Sequence, residues 1–170
     1  MRKRREARER AVQFLFQFDM NPAEDLESAL NTFWDNTRLN AALDARGPTW
    51  GEKVELPAPT AEDTATRAFA DTLIRGVLGQ LDALDNVIRK HAKNWDLHRM
   101  AVVDRNVMRL AIHEMLTRHD IPPVVSINEA VDIAKKFSTP ESGKFVNGIL
   151  DKVKDDILRP ARTAKDTPIL

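Results

Sequence analysis

Lys144 and Phe145 stand one helical turn after Glu141 in the segment Lys144-Phe145-Val146-Asn147-Gly148-Ile149-Leu150. Laid on a helix, Val146, Ile149, Leu150, Val153 and Ile157 share one apolar face, and Glu141, Lys144 and Phe145 fall outside it. An aromatic ring beside a cation, away from the core stripe, suits the stacking of an unpaired base with its phosphate held alongside. The competing reading is that Phe145 closes the edge of the core.

A second group lies at the N-terminus. Arg2, Lys3, Arg4, Arg5, Arg8 and Arg10 face only Glu6 and Glu9 within the first ten residues. Cations at a helix N-terminus oppose the helix dipole, so their concentration there is better explained by phosphate binding than by helix stability. The alternative is a solvated helix start. Phe16 lies opposite the core stripe of this helix, near the direction of Arg2, Arg5 and Glu9. An aromatic on a basic face suits base stacking. Cover from another element is the competing explanation.

The elements that must hold these groups read at helical period, and glycine is scarce, which predicts an all-α chain. Helices are expected over about 4–19, with a stripe of Ala7, Ala11, Leu15 and Phe18, and over about 26–39. Residues 40–59 carry glycine and proline breaks and little periodicity, and are read as a long loop insertion. Trp50, inside it, either folds back onto the body or stands out as an anchor for a partner. Thr60 and Asp63 form a capping box for a third helix, which Gly79 breaks. Trp95 is read as a core plug at a turn.

Residues 101–118 give the most apolar helix, with a narrow polar stripe of Arg105, Asn106, Arg109 and His113. Glu114 sits on an apolar side and needs a buried partner, read as a structural ion pair. Ile121-Pro122-Pro123 ends this helix, and Ser126-Ile127-Asn128-Glu129 is read as the capping box of the next. Thr139 then caps a last helix with Pro140 at its first position. The sum is a compact bundle of about seven helices in a single domain over 1–170, with a basic arm at 1–10 and a frayed tail at 161–170.

Composition sets limits. Lys plus Arg and Asp plus Glu are 26 each, so bulk charge does not drive binding to nucleic acid, although a local basic patch does not need it. There is no cysteine, which excludes thiolate chemistry and disulfides. His91, His98, His113 and His119 show no metal-ligand spacing. No glycine-rich phosphate loop or nucleophile motif appears, and no cofactor is implied, so an enzyme is disfavoured. No apolar h-region follows the basic N-terminus, and no apolar run approaches a membrane span, so a cytoplasmic protein is expected.

The order of four motifs carries a resemblance. Arg8-Glu9-Arg10-Ala11-Val12-Gln13, Asp104-Arg105-Asn106-Val107-Met108-Arg109-Leu110-Ala111, Ser126-Ile127-Asn128-Glu129-Ala130 and Lys144-Phe145-Val146-Asn147-Gly148-Ile149-Leu150 together resemble the NusB family of transcription antitermination factors. The likeness runs from about residue 4 to 159, interrupted at 40–59. It implies binding of single-stranded boxA RNA of ribosomal RNA operons through Arg4, Arg5, Arg8, Phe16, Glu141, Lys144 and Phe145. Many relatives have tyrosine where Phe16 stands, and phenylalanine stacks without the hydroxyl hydrogen bond. The likeness also implies a protein partner, NusE, a small-subunit ribosomal protein, and entry of the pair into the antitermination complex on RNA polymerase. Asp104 matches an acidic position near the partner surface; its own chemistry also fits a helix cap or first-turn acid. Asn128, Asn147 and Gly148 match the pattern too, and are read as structural. A homodimer is left open. The alternative function is a helical interaction module contacting ribosomal RNA or ribosomal protein without sequence selection.

Overall fold

The computed structural model describes residues 2–47 and 50–158. The described residues form seven α-helices and no strand. These are α1 (Arg2–Met20), α2 (Leu26–Arg46), α3 (Ala61–Leu78), α4 (Leu81–His91), α5 (Val102–Thr117), α6 (Pro123–Phe137) and α7 (Pro140–Leu158), with one 3-10 turn at Leu97–Arg99. The all-α expectation is met. The tail expected to fray, 161–170, lies outside the described residues. Contacts divide the chain into two compact units, Met1–Thr72 and Leu73–Leu170, with the boundary inside α3.

In the first unit, α1 buries Ala7, Ala11, Val12, Phe14 and Leu15, and α2 buries Leu30, Phe33 and Trp34. The two helices meet through Phe14, which contacts the Phe33 ring edge-on at 5.4 Å between centroids. Phe33 in turn meets Trp34 at 5.3 Å. The Trp34 indole donates to Asp71 at 2.8 Å, and Arg67 reaches both Asp71 (3.1 Å) and Asn31 (2.6 Å), which ties α2 to α3. The start of α3 is the expected capping box: Thr60 N–H donates to Asp63 at 2.8 Å, and Asp63 N–H donates to the Thr60 hydroxyl at 3.1 Å.

The expected end of the second helix is corrected. α2 runs to Arg46 and stops at Gly47, whose φ of 75° is the positive value that glycine allows. Residues 40–46 are exposed or half-buried, so they lack an amphipathic pattern although alanine, leucine and arginine favour helix. Trp50 is 99 % exposed, which rules out its folding back onto the body.

In the second unit, α5, α6 and α7 pack on one another, and α4 packs on α5 and α7. α5 is the buried centre: eleven of its sixteen residues are buried. Its expected polar stripe is largely inside as well. Asn106 and His113 are buried, and Arg109 is clamped by both oxygens of Asp85 on α4, at 2.6 and 2.9 Å.

The expected start of α6 is corrected too. The helix begins at Pro123, so Ser126 is not its cap. Ser126 is buried and donates to Glu114 Oε1 at 2.8 Å, which supplies a partner for that buried carboxylate. α7 starts as expected, with the Thr139 hydroxyl accepting from Ser142 N–H at 3.1 Å.

Candidate nucleic-acid interface

Each unit carries one of the groups singled out in the sequence, and each is built by its own helices. In the first unit the first turn of α1 contains no acid. Arg2, Lys3, Arg4 and Arg5 are all exposed there. The Arg4 guanidinium lies 5.3 Å from the centroid of Phe69 on α3, and Lys3 sits 3.8 Å from Glu62. Phe16 is 37 % exposed, so it is partly covered and partly open. It shares a face with Arg5, roughly 16 Å further along the helix at 1.5 Å per residue.

Arg8 differs from its neighbours. It is only 4 % exposed, and its guanidinium lies 5.6 Å from the Phe69 centroid. Arg4 and Arg8, one turn apart, therefore stack about the same ring. Nothing in the sequence separates Arg8 from Arg4 and Arg5, because its burial depends on α3.

In the second unit the first turns of α7 present Glu141 and Lys144 to solvent, 3.9 Å apart. Phe145 is half-buried and makes an edge contact with Trp95 at 5.3 Å. The core-edge reading therefore holds in part: the ring packs against Trp95 and keeps some of its surface in water. Trp95 is not the core plug expected of it. It is 57 % exposed, following α4 at the turn formed by its N–H donating to Ala92 at 3.0 Å.

Asp104 is held inside. It occupies the first turn of α5, is 6 % exposed, and accepts from the Ser142 hydroxyl at 3.0 Å. Its other oxygen, Oδ1, is buried without a partner among the described residues. Burial raises its pKa above the ordinary carboxylate value, and the Ser142 hydrogen bond opposes that shift only in part. The first-turn reading of Asp104 holds, while the cap position is Ala101.

The structural reading of three motif residues is corrected. Asn128 and Asn147 are exposed. A Cβ placed on Gly148 would meet nothing within 4 Å, so close helix approach does not account for it. Gly143 is the glycine that packing explains, since a Cβ there would press on the Lys135 stem at 2.8 Å. Among the described residues no group of acids and histidines could hold a metal ion, and no helix is long and apolar enough to cross a membrane.

The described residues thus form an all-helical frame with exposed arginines and a part-open Phe16 in one unit, and a lysine–aromatic pair at a helix start in the other. The NusB family pattern matches residues 5–155. A transcription antitermination protein NusB from Methylacidiphilum infernorum is 40 % identical over 158 residues, which cover 93 % of this chain and 94 % of that one. T. maritima NusB is 36 % identical in a crystal form whose TM-score is 0.67, covering 89 % of this chain and 90 % of that one. A crystal structure of the antitermination factors NusB and NusE in complex with double-stranded RNA gives a TM-score of 0.69 at 22 % identity, covering 92 % of this chain and 98 % of that one. The chain belongs to the NusB family, whose members are transcription antitermination factors and not enzymes.

Proposed function

We propose that this protein binds the single-stranded boxA RNA of ribosomal RNA operons together with NusE and helps assemble the antitermination complex on RNA polymerase. The observation that carries the reading is the placement of Phe145. It lies half-open beside exposed Lys144 and Glu141, while Val146, Ile149 and Leu150 hold the same helix in the core. A base stacks on the open side of the ring, Lys144 holds a phosphate, and Glu141 accepts from amino groups on base edges.

In the first unit Arg4 and Arg5 supply phosphate contacts, and Phe16 supplies a second stacking surface. Arg8 acts from inside by fixing α1 against Phe69. Asp104 acts through Ser142, which lies between Glu141 and Lys144 in sequence and sets the first turn of α7. A NusB relative crystallised with NusE and double-stranded RNA supports NusE and RNA as partner classes for this chain, while the preference for a single strand rests on the Phe145 geometry.

Fluorescence anisotropy of a labelled boxA RNA, with a scrambled strand and a duplex as controls, tests the reading with and without purified NusE. Selective binding to the single strand, tightened by NusE, is expected. Equal, weak, salt-sensitive binding to all three RNAs, unmoved by NusE, refutes it and leaves a helical interaction module with a basic arm.

A further inference from the structure

A groove of about 820 Å³ opens beside Phe145, between the end of α4 and the middle of α7. One wall carries Lys93 and Trp95, and the other carries Phe145, Gly148 and Lys152. The wall is preformed. Asp156 accepts from His91 Nε2 at 2.7 Å and pairs with Lys90 at 3.0 Å, which fastens α4 to α7. That engagement answers the charge of Asp156, whose carboxyl is held below its ordinary pKa by Lys90 and His91. Lys93 and Lys152 are exposed along the groove, with no carboxylate partner among the described residues, while Asp155 is the other acid on the rim.

Three features need explaining together. Trp95 leaves more than half its surface in water although it touches Phe145. Gly148 sits inside α7, where glycine is less stable than alanine, yet a Cβ would meet no protein atom within 4 Å. The Trp95 and Phe145 rings are inclined at 64°. Duplex bases lie parallel, so two platforms at that angle cannot both stack on successive bases of a duplex. They suit a single strand whose bases are splayed apart. A bare helix backbone between them admits a flat base or a sugar at close range.

We propose that this groove is a second seat for the RNA strand that Phe145 engages, with Trp95 the stacking platform, Gly148 the open floor, and Lys93 and Lys152 the phosphate contacts. The inference rests on the boxA reading, and it extends the contact surface beyond the residues that reading uses.

The same anisotropy titration tests it, begun with the wild-type protein. Failure of the wild type to prefer boxA RNA sinks the boxA reading itself. With that preference in hand, Trp95→Ala should weaken boxA binding roughly five-fold or more, and Trp95→Phe should retain most of the affinity. Gly148→Ala should weaken RNA binding while raising the urea midpoint, a combination that damage to the fold does not produce. Lys93→Ala and Lys152→Ala should each flatten the salt slope by about 0.7.

A series of boxA RNAs, each lacking one base, separates stacking from indirect effects. One of them should bind wild type and Trp95→Ala alike. If the Trp95→Ala defect vanishes on the same abasic RNA that cancels the Phe145→Ala defect, the residue acts only by propping Phe145 and the seat is overturned, as it is by an equal defect on every abasic RNA. Unchanged RNA affinity in both Trp95→Ala and Gly148→Ala would overturn it as well. So would loss of NusE binding alone, which would make the groove a protein-docking surface.

Discussion

The Asp104 carboxylate on the first turn of α5 accepts a hydrogen bond from the Ser142 hydroxyl on the first turn of α7 at 3.0 Å, and its second oxygen is buried without a partner among the described residues. Burial raises the folded-state pKa of Asp104, so between its unfolded value, about 4, and the raised value the folded protein binds more protons than the unfolded chain. Stability attributable to this group therefore falls as pH rises through that window. Asp104→Asn keeps an acceptor for Ser142 and removes the titration. Its stability relative to wild type should improve as pH rises from 4 to 7, read from urea midpoints. A difference that does not change with pH would disprove the linkage.

The two groups of RNA residues should fail in different ways. Arg4→Ala with Arg5→Ala removes phosphate contacts and no base contact, so boxA and scrambled RNAs should weaken together, and the salt slope should fall by about 0.7 for each phosphate that is no longer neutralised. Phe145→Ala should cost about 1–3 kcal/mol on boxA and reduce its preference over the scrambled strand. Anisotropy titrations at several salt concentrations distinguish the two. An unchanged preference in Phe145→Ala would remove that ring from the site.

What could be read in the chain depended on how local the cause was. The Thr60–Asp63 box and the Thr139 cap involve residues three apart, and both form as the sequence implied. The basic turn at Arg4 and Arg5 and the position of Phe16 off the core stripe were legible because place on one helix decides them, while the cover over Phe16 was left open. Arg8, Ser126 and Trp95 were not, because each is placed by a residue far along the chain: Phe69, Glu114 and Phe145 respectively. Ser126 carried a sound local capping pattern, but the proline at position 123 started α6 one turn earlier. The end of α2 is hidden for the opposite reason. Its last turns bury nothing, so only propensity and Gly47 mark them.

Arg109 on α5 and Asp85 on α4 form a two-pronged ion pair between the two helices. Their side chains are 9 % and 13 % exposed, and both carboxylate oxygens engage the guanidinium fork. Asp85→Ala leaves a buried guanidinium without its counter-charge and should destabilise the protein by about 3–5 kcal/mol, seen as a lower urea midpoint with an unchanged slope. Asp85→Glu preserves the charge and should recover part of that loss. A cost under about 1 kcal/mol for Asp85→Ala would show that Arg109 is held by its other contacts, including the 3.1 Å bond to Asn106.

Gly76 and His113 bring α3 and α5 together within the second unit. A Cβ on Gly76 would overlap the His113 imidazole, which is buried and within hydrogen-bond reach of Gln80 at 3.3 Å and Thr117 at 3.4 Å. The ring cannot withdraw without giving up those partners, so Gly76→Ala should cost about 1–3 kcal/mol through overpacking, despite alanine's better helix propensity. His113→Ala opens the space the methyl group needs. The double variant should therefore be more stable than the sum of the two single losses predicts, a coupling visible in a double-mutant cycle of urea midpoints. Burial also lowers the His113 pKa. As pH falls through the ordinary histidine value of about 6.5, the unfolded chain takes up a proton that the folded protein refuses, and stability drops. His113→Ala should remove that portion of the pH dependence between about 7 and 5. Additive losses in the cycle would mean that α3 shifts to admit the methyl group, and that the imidazole does not set the spacing of the two helices.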